Sequence, residues 1–93
     1  MRLTATRHEA ILLFSFPDAI ADAIHHALAP ETEAQVPKTR AVVTRSGGDV
    51  RVHVHAEDLS ALRAAVNSYA RWVDAAERAA RVGGAGGAQL GRT

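Results

Sequence analysis

At 93 residues, with 47% hydrophobic and 23% charged residues, the chain has the size and composition of one small globular domain rather than a disordered segment. Absent cysteine excludes a disulfide frame and thiolate chemistry, and a formal net charge of +1 marks no partner class by itself. No apolar run reaches membrane-spanning length and the N-terminus lacks a signal-peptide pattern, so a cytoplasmic protein without membrane contact is expected.

The chain has four aromatic residues, Phe14, Phe16, Tyr69 and Trp72, so the core must come from Val, Leu, Ile and Ala. In so short a chain that core is marginal, and a partner surface would add stability. Lys38 is the one lysine beside ten arginines. Arginine suits phosphate recognition, but this bias with abundant alanine is also what a GC-rich genome produces.

In chain order, Met1 to Arg7 reads as a frayed lead-in. From Glu9 to Phe16, Ala10, Leu12, Phe14 and Phe16 alternate on one face of a strand and Ile11 and Leu13 on the other. Both faces are apolar, so cover on both sides, at least in part, is expected. A helix follows, with Ser15 or Phe16 at its cap, Pro17 in the first turn and Asp18 at the positive end of the helix dipole. Ile20, Ile24, Ala27 and Leu28 share one face; Asp18, Asp22, His25 and His26 lie opposite. Pro30 is a stop signal, and residues 31–37 read as a polar connection.

Two strands then flank "SGGD". Gly47-Gly48 is a two-residue hairpin turn, since glycine tolerates the positive φ such turns require. The register pairs Ser46 with Asp49, Val43 with Val52 and Ala41 with Val54. Ala41, Val43, Val50, Val52 and Val54 then share an apolar face, and Arg40, Val42, Thr44, Arg51, His53 and His55 the other. Asp58 is a good N-cap for a last helix from Leu59 to about Val82, with acid-first pairs Asp74–Arg78 and Glu77–Arg81. The Gly-rich end, residues 83–93, reads as a disordered tail. The expected fold is α+β in the order β-α-β-β-α: a three-stranded antiparallel sheet with two helices packed on one face, forming a single domain over residues 8–82.

The last helix carries two stripes. At about 100° per residue, Leu62, Val66, Tyr69, Val73, Ala76 and Ala80 form a core stripe. Ala61, Ala64, Ser68, Trp72, Ala75 and Ala79 form a neighbouring sector that is small and uncharged. Alanine alone would be an ordinary surface filler. Trp72 in that sector tips the reading toward a docked partner helix, because small residues permit close approach and tryptophan anchors interfaces.

The His53-x-His55 pair and His25-His26 each raise a metal site, but no carboxylate or cysteine pattern completes either. They read as solvent or interface histidines that make the sheet face more basic below neutral pH, with Arg40 and Arg51. No nucleophile–base constellation, phosphate loop or paired acids are seen, so no catalytic residue, cofactor or metal is expected. An RNA-binding reading lacks the stacking aromatics of an RRM and the GXXG loop of a KH domain.

The stretch "AEDLSALRAAVNSYARWVDAAE" resembles the signature of the small Pcc-type subunit of the KEOPS complex. Asp58, Leu62-Arg63-Ala64 and Asn67-Ser68-Tyr69 carry it, supported by "FSFPDAIADAIHHALAPE" and by Pro37 with Arg40. The resemblance spans roughly Glu9 to Arg81. It implies the β-α-β-β-α fold and a non-enzymatic, archaeal-type subunit that binds the catalytic threonylcarbamoyl-transferase subunit through its two helices. It also implies self-association largely through the sheets, giving a homodimer, and tRNA engagement within the assembled complex. The assembly places threonylcarbamoyl-adenosine on tRNAs that read codons starting with A. Val66 and Ala70 stand where many relatives carry bulkier apolar residues, which softens the docking surface. Two other readings stay open: an autonomous KH-like RNA-binding module using Arg40, Arg51 and His53, and a small-molecule regulatory domain one strand short of a ferredoxin-like plan.

Overall fold

The computed structural model describes residues 1–28 and 36–82. Six elements follow in order: β1 (Arg2–Thr6), β2 (Glu9–Ser15), α1 (Asp18–Leu28), β3 (Thr39–Ser46), β4 (Asp49–Ala56) and α2 (Leu59–Val82). The strands make one antiparallel sheet in the spatial order β1-β2-β4-β3. The expected three-stranded sheet is therefore corrected to four strands, and the order to β-β-α-β-β-α. The lead-in is β1, folded back on β2 through Arg7 and His8, with Thr6 opposite Glu9 and Leu3 opposite Leu12. Arg7 takes a left-handed backbone (φ 49°) to close this turn without glycine. All five β1 residues are exposed, so no buried periodicity marked the strand in the sequence.

The central hairpin has the expected register, Val43 opposite Val52 and Ala41 opposite Val54. Its inward valines are buried, as are Ala10, Leu12 and Phe14 of β2. Both helices lie on that face: α1 rests on β3 and β4, α2 mainly on β4 and β2, and the helices pack on each other. The opposite sheet face has no helix among the described residues. There Ile11 and Leu13 are half-buried by strand neighbours, so the expected double cover is half met within one chain.

Pro17 precedes α1 rather than opening it; its carbonyl accepts the first helical hydrogen bond, from Ala21 N–H at 2.9 Å. The buried face of α1 is Ala21, Ile24 and Leu28, with Ile20 at its margin and Ala27 exposed. That face keeps Ile24 and Leu28 but turns toward Ala21 and away from Ala27, because α1 must meet both the sheet and α2. In α2 the same effect buries Ala65, which the sequence reading missed, with Leu62, Tyr69 and Val73, and leaves Val66 and Ala76 as partly buried margins. Burial pushes the Tyr69 phenol pKa up.

Asp58 caps α2 as expected: its Oδ1 accepts from Ala61 N–H at 2.7 Å. The Asp74–Arg78 and Glu77–Arg81 pairs form along the exposed flank. Val36 is buried in the core, so the end of the 31–37 connection is not simply polar. The Thr39 hydroxyl donates to the Val36 carbonyl at 2.6 Å, and Lys38 turns the chain into β3 with φ 65°. The expected Pro30 stop and the Gly-rich tail at 83–93 lie outside the described residues.

Candidate interaction surfaces

The first surface is the flank of α2. Of the sector singled out in the sequence, Ala64, Ala75 and Ala79 are exposed, and Ala61, Ser68 and Trp72 are half-buried. Ala65 lies between this sector and the core stripe, so the two are contiguous. Trp72 straddles the border. Its ring meets Tyr69 edge-on at 4.9 Å between centroids, and part of it packs on the core. Trp72 is thus positioned by the fold itself while still presenting surface outward. Near the start of α2, Ala61 and Ala64 line a shallow depression of about 280 Å³ with Val36, Pro37, Lys38 and Asp58. Lys38 and Asp58 approach to 3.8 Å at its rim.

The signature residues divide by role. Asp58 caps the helix, and Leu62 and Tyr69 are buried in the core. Ser68 belongs to the small-residue sector. Arg63 and Asn67 are exposed on the polar side, away from that sector.

The second surface is the open face of the sheet. Alternation along the paired strands brings Arg40, Val42, Arg51, His53 and His55 onto it, as read from the sequence. Val42 is 59% exposed there. The sequence reading missed the contribution of β1 and β2. Arg2 and Thr4 join Ile11, Leu13 and Arg51 around a depression of about 200 Å³. The result is an apolar centre with arginines around it.

The same face corrects the view that no carboxylate meets the histidines. Glu9 lies directly opposite His55 in the β2–β4 register, and Ile11 opposite His53. The Glu9 carboxylate is hydrogen-bonded to His53 Nε2, and His55 Nε2 stands 3.7 Å from the same oxygen. The two imidazoles lie 4.6 Å apart, centroid to centroid. The hydrogen bond to His53 outweighs the desolvation cost and, with the nearby His55 and His53 charges, holds the Glu9 carboxyl below its ordinary pKa. Pairing β2 with β4 in the sequence would have revealed this neighbour. The histidine pair on α1 gains no such completion: His26 Nδ1 lies 2.9 Å from the Asp22 carbonyl and 3.4 Å from its carboxylate, whose other partner is Arg45 at 3.3 Å.

A family model described as transcription factor Pcc1 matches residues 9–81, from the first residue of β2 almost to the end of α2. The chain belongs to the Pcc1 family. This agrees with the resemblance carried by Asp58, Leu62 and Asn67-Ser68-Tyr69. No curated protein matches the chain. The Pcc1 family places the chain among KEOPS-related subunits, known as non-catalytic and acting with protein partners in tRNA processing. The match begins at β2, so β1 and its turn lie outside it. No described helix is long and apolar enough to cross a membrane.

Proposed function

We propose that this Pcc1-family chain is a cytoplasmic, non-catalytic scaffold subunit of a KEOPS complex. Its helical layer docks the catalytic threonylcarbamoyl-transferase subunit, and its open sheet face joins a second copy. In this role it supports threonylcarbamoyl-adenosine formation on tRNAs that read codons starting with A, with tRNA engaged by the assembly.

The observation that carries the docking reading is the α2 flank: uncharged Ala61, Ala64, Ser68, Ala75 and Ala79 around a Trp72 held by Tyr69. Exposed alanines cost nothing in helix propensity and leave room for another helix within close packing distance. A partly desolvated tryptophan supplies the anchor.

Co-purification with the catalytic subunit tests this. Trp72→Arg disturbs both surfaces, because Trp72 also packs on the core. Ala75→Glu places a charge on the exposed part of the sector and leaves the core alone. Ala75→Glu should weaken capture at least tenfold while circular dichroism stays unchanged. Capture at full strength with that charge in place would remove the α2 flank from the interface.

A second reading has its own support. Arg2, Arg40 and Arg51 are exposed, and their register positions place them on the sheet face with Val42, His53 and His55. Such a face suits phosphate contact, as in an autonomous KH-like RNA-binding module.

A further inference from the structure

Glu9, His53 and His55 lie on the sheet face given to the second copy, but neither that reading nor the docking reading draws on their capacity as ligands. One donor atom from each lies within 4.8 Å of the others. His53 and His55 are two apart on β4, so their rings leave the same face of the sheet. Glu9 comes from β2, held opposite His55 by the backbone ladder. Two imidazoles and one carboxylate are therefore fixed by regular secondary structure rather than by a loop, the condition under which a ligand set is held to useful precision.

We propose that Glu9, His53 and His55 bind one divalent transition-metal ion of the zinc class on the open sheet face. The donor set is two nitrogens and one carboxylate oxygen, which suits zinc and its neighbours rather than calcium or magnesium. An ion with bonds of about 2.0–2.1 Å in tetrahedral geometry keeps its ligand atoms about 3.3 Å apart. His55 Nε2 and Glu9 Oε2 already stand at 3.7 Å. The hydrogen bond between Glu9 and His53 opens to admit the ion, which takes the place of the shared proton. Three protein ligands leave a fourth position for water or an outside donor.

The charges around the site set its strength. Arg40 lies directly across from His55 on β3 and opposes a cation, while Glu9 supplies the one negative charge among the three ligands. A site with one carboxylate and a neighbouring arginine binds more weakly than a closed structural zinc site. The three ligands come from one chain, so the site does not depend on a second copy covering the sheet.

Titration of the tag-free chain with zinc chloride at pH 7.5 tests the proposal, by calorimetry and by following the histidine ring resonances. One ion per chain is expected, with the His53 and His55 resonances shifting and those of His25 and His26 unmoved. Glu9→Gln and His55→Ala should each weaken binding at least tenfold, and His25→Ala should leave it unchanged. All three positions are exposed or half-exposed, and circular dichroism checks that each variant folds. No saturable binding below millimolar zinc would overturn the proposal. So would undiminished binding by both ligand variants, or one ion shared between two chains.

Discussion

Gly48 and Gly47 look interchangeable in sequence, yet they are needed for different reasons. Gly47 has φ +58° with open space around it, so it answers to backbone conformation. Gly48 is not in the left-handed region. It lies under the β2–α1 junction, where its carbonyl accepts from Phe16 N–H at 2.8 Å. A Cβ there would stand 2.1 Å from the Phe16 carbonyl oxygen, a backbone atom that cannot rotate away. Gly48→Ala should therefore cost about 1–3 kcal/mol in denaturant unfolding, the range for overpacking. Gly47→Asn should be nearly neutral, since asparagine tolerates that conformation. Equal losses from both would show that the close approach is not what selects Gly48. Glu9 teaches a related lesson: nothing in "HEAILL" marks it as a partner of histidines 44 and 46 positions away.

At the scale of elements, α2 was the most legible part of the chain. Its bounds, its cap and its two acid-first pairs are all local features, and local features survive folding. Asp58→Ala should lower stability by about 1 kcal/mol in thermal unfolding, and Asp58→Asn should retain most of it. Its pairing with Lys38, at 3.8 Å and half-exposed, adds little, so a loss confined to low salt would argue against the cap as the main term. The β1 strand was illegible for the opposite reason. Its residues are exposed, its turn lacks glycine, and it becomes a strand only because β2 offers an unpaired edge. The turned faces of α1 and α2 were half legible: periodicity gave the helices, but the burial of Ala21 and Ala65 depends on how each helix packs on the sheet and on the other helix, which periodicity does not describe.

Taken whole, the described residues close one face of the sheet with helices and leave the other open. Isolated apolar surface residues are ordinary, but Ile11, Leu13 and Val42 sit on a single sheet face with Arg2, Arg40 and Arg51 around them. The scaffold reading predicts that this face pairs with a second copy. The wild-type chain should be a dimer at micromolar concentration by light scattering, and Val42→Asp should convert it to a folded monomer. A monomeric wild type that binds tRNA with a steep salt dependence would instead favour the RNA-binding reading of the same arginines.

The sequence by itself determined the span and cap of α2, the hairpin register of β3 and β4, and the residues on both faces of that hairpin. These follow from period, turn chemistry and neighbours close along the chain. The tertiary structure decided the fourth strand, the burial of Ala65, the contact that reserves Gly48 for glycine and the meeting of Glu9 with His53 and His55. The burial of Ala65 depends on how α2 packs, and the other three on which strand lies beside which; both are fixed by burial of the whole sheet beneath two helices rather than by any short stretch of residues.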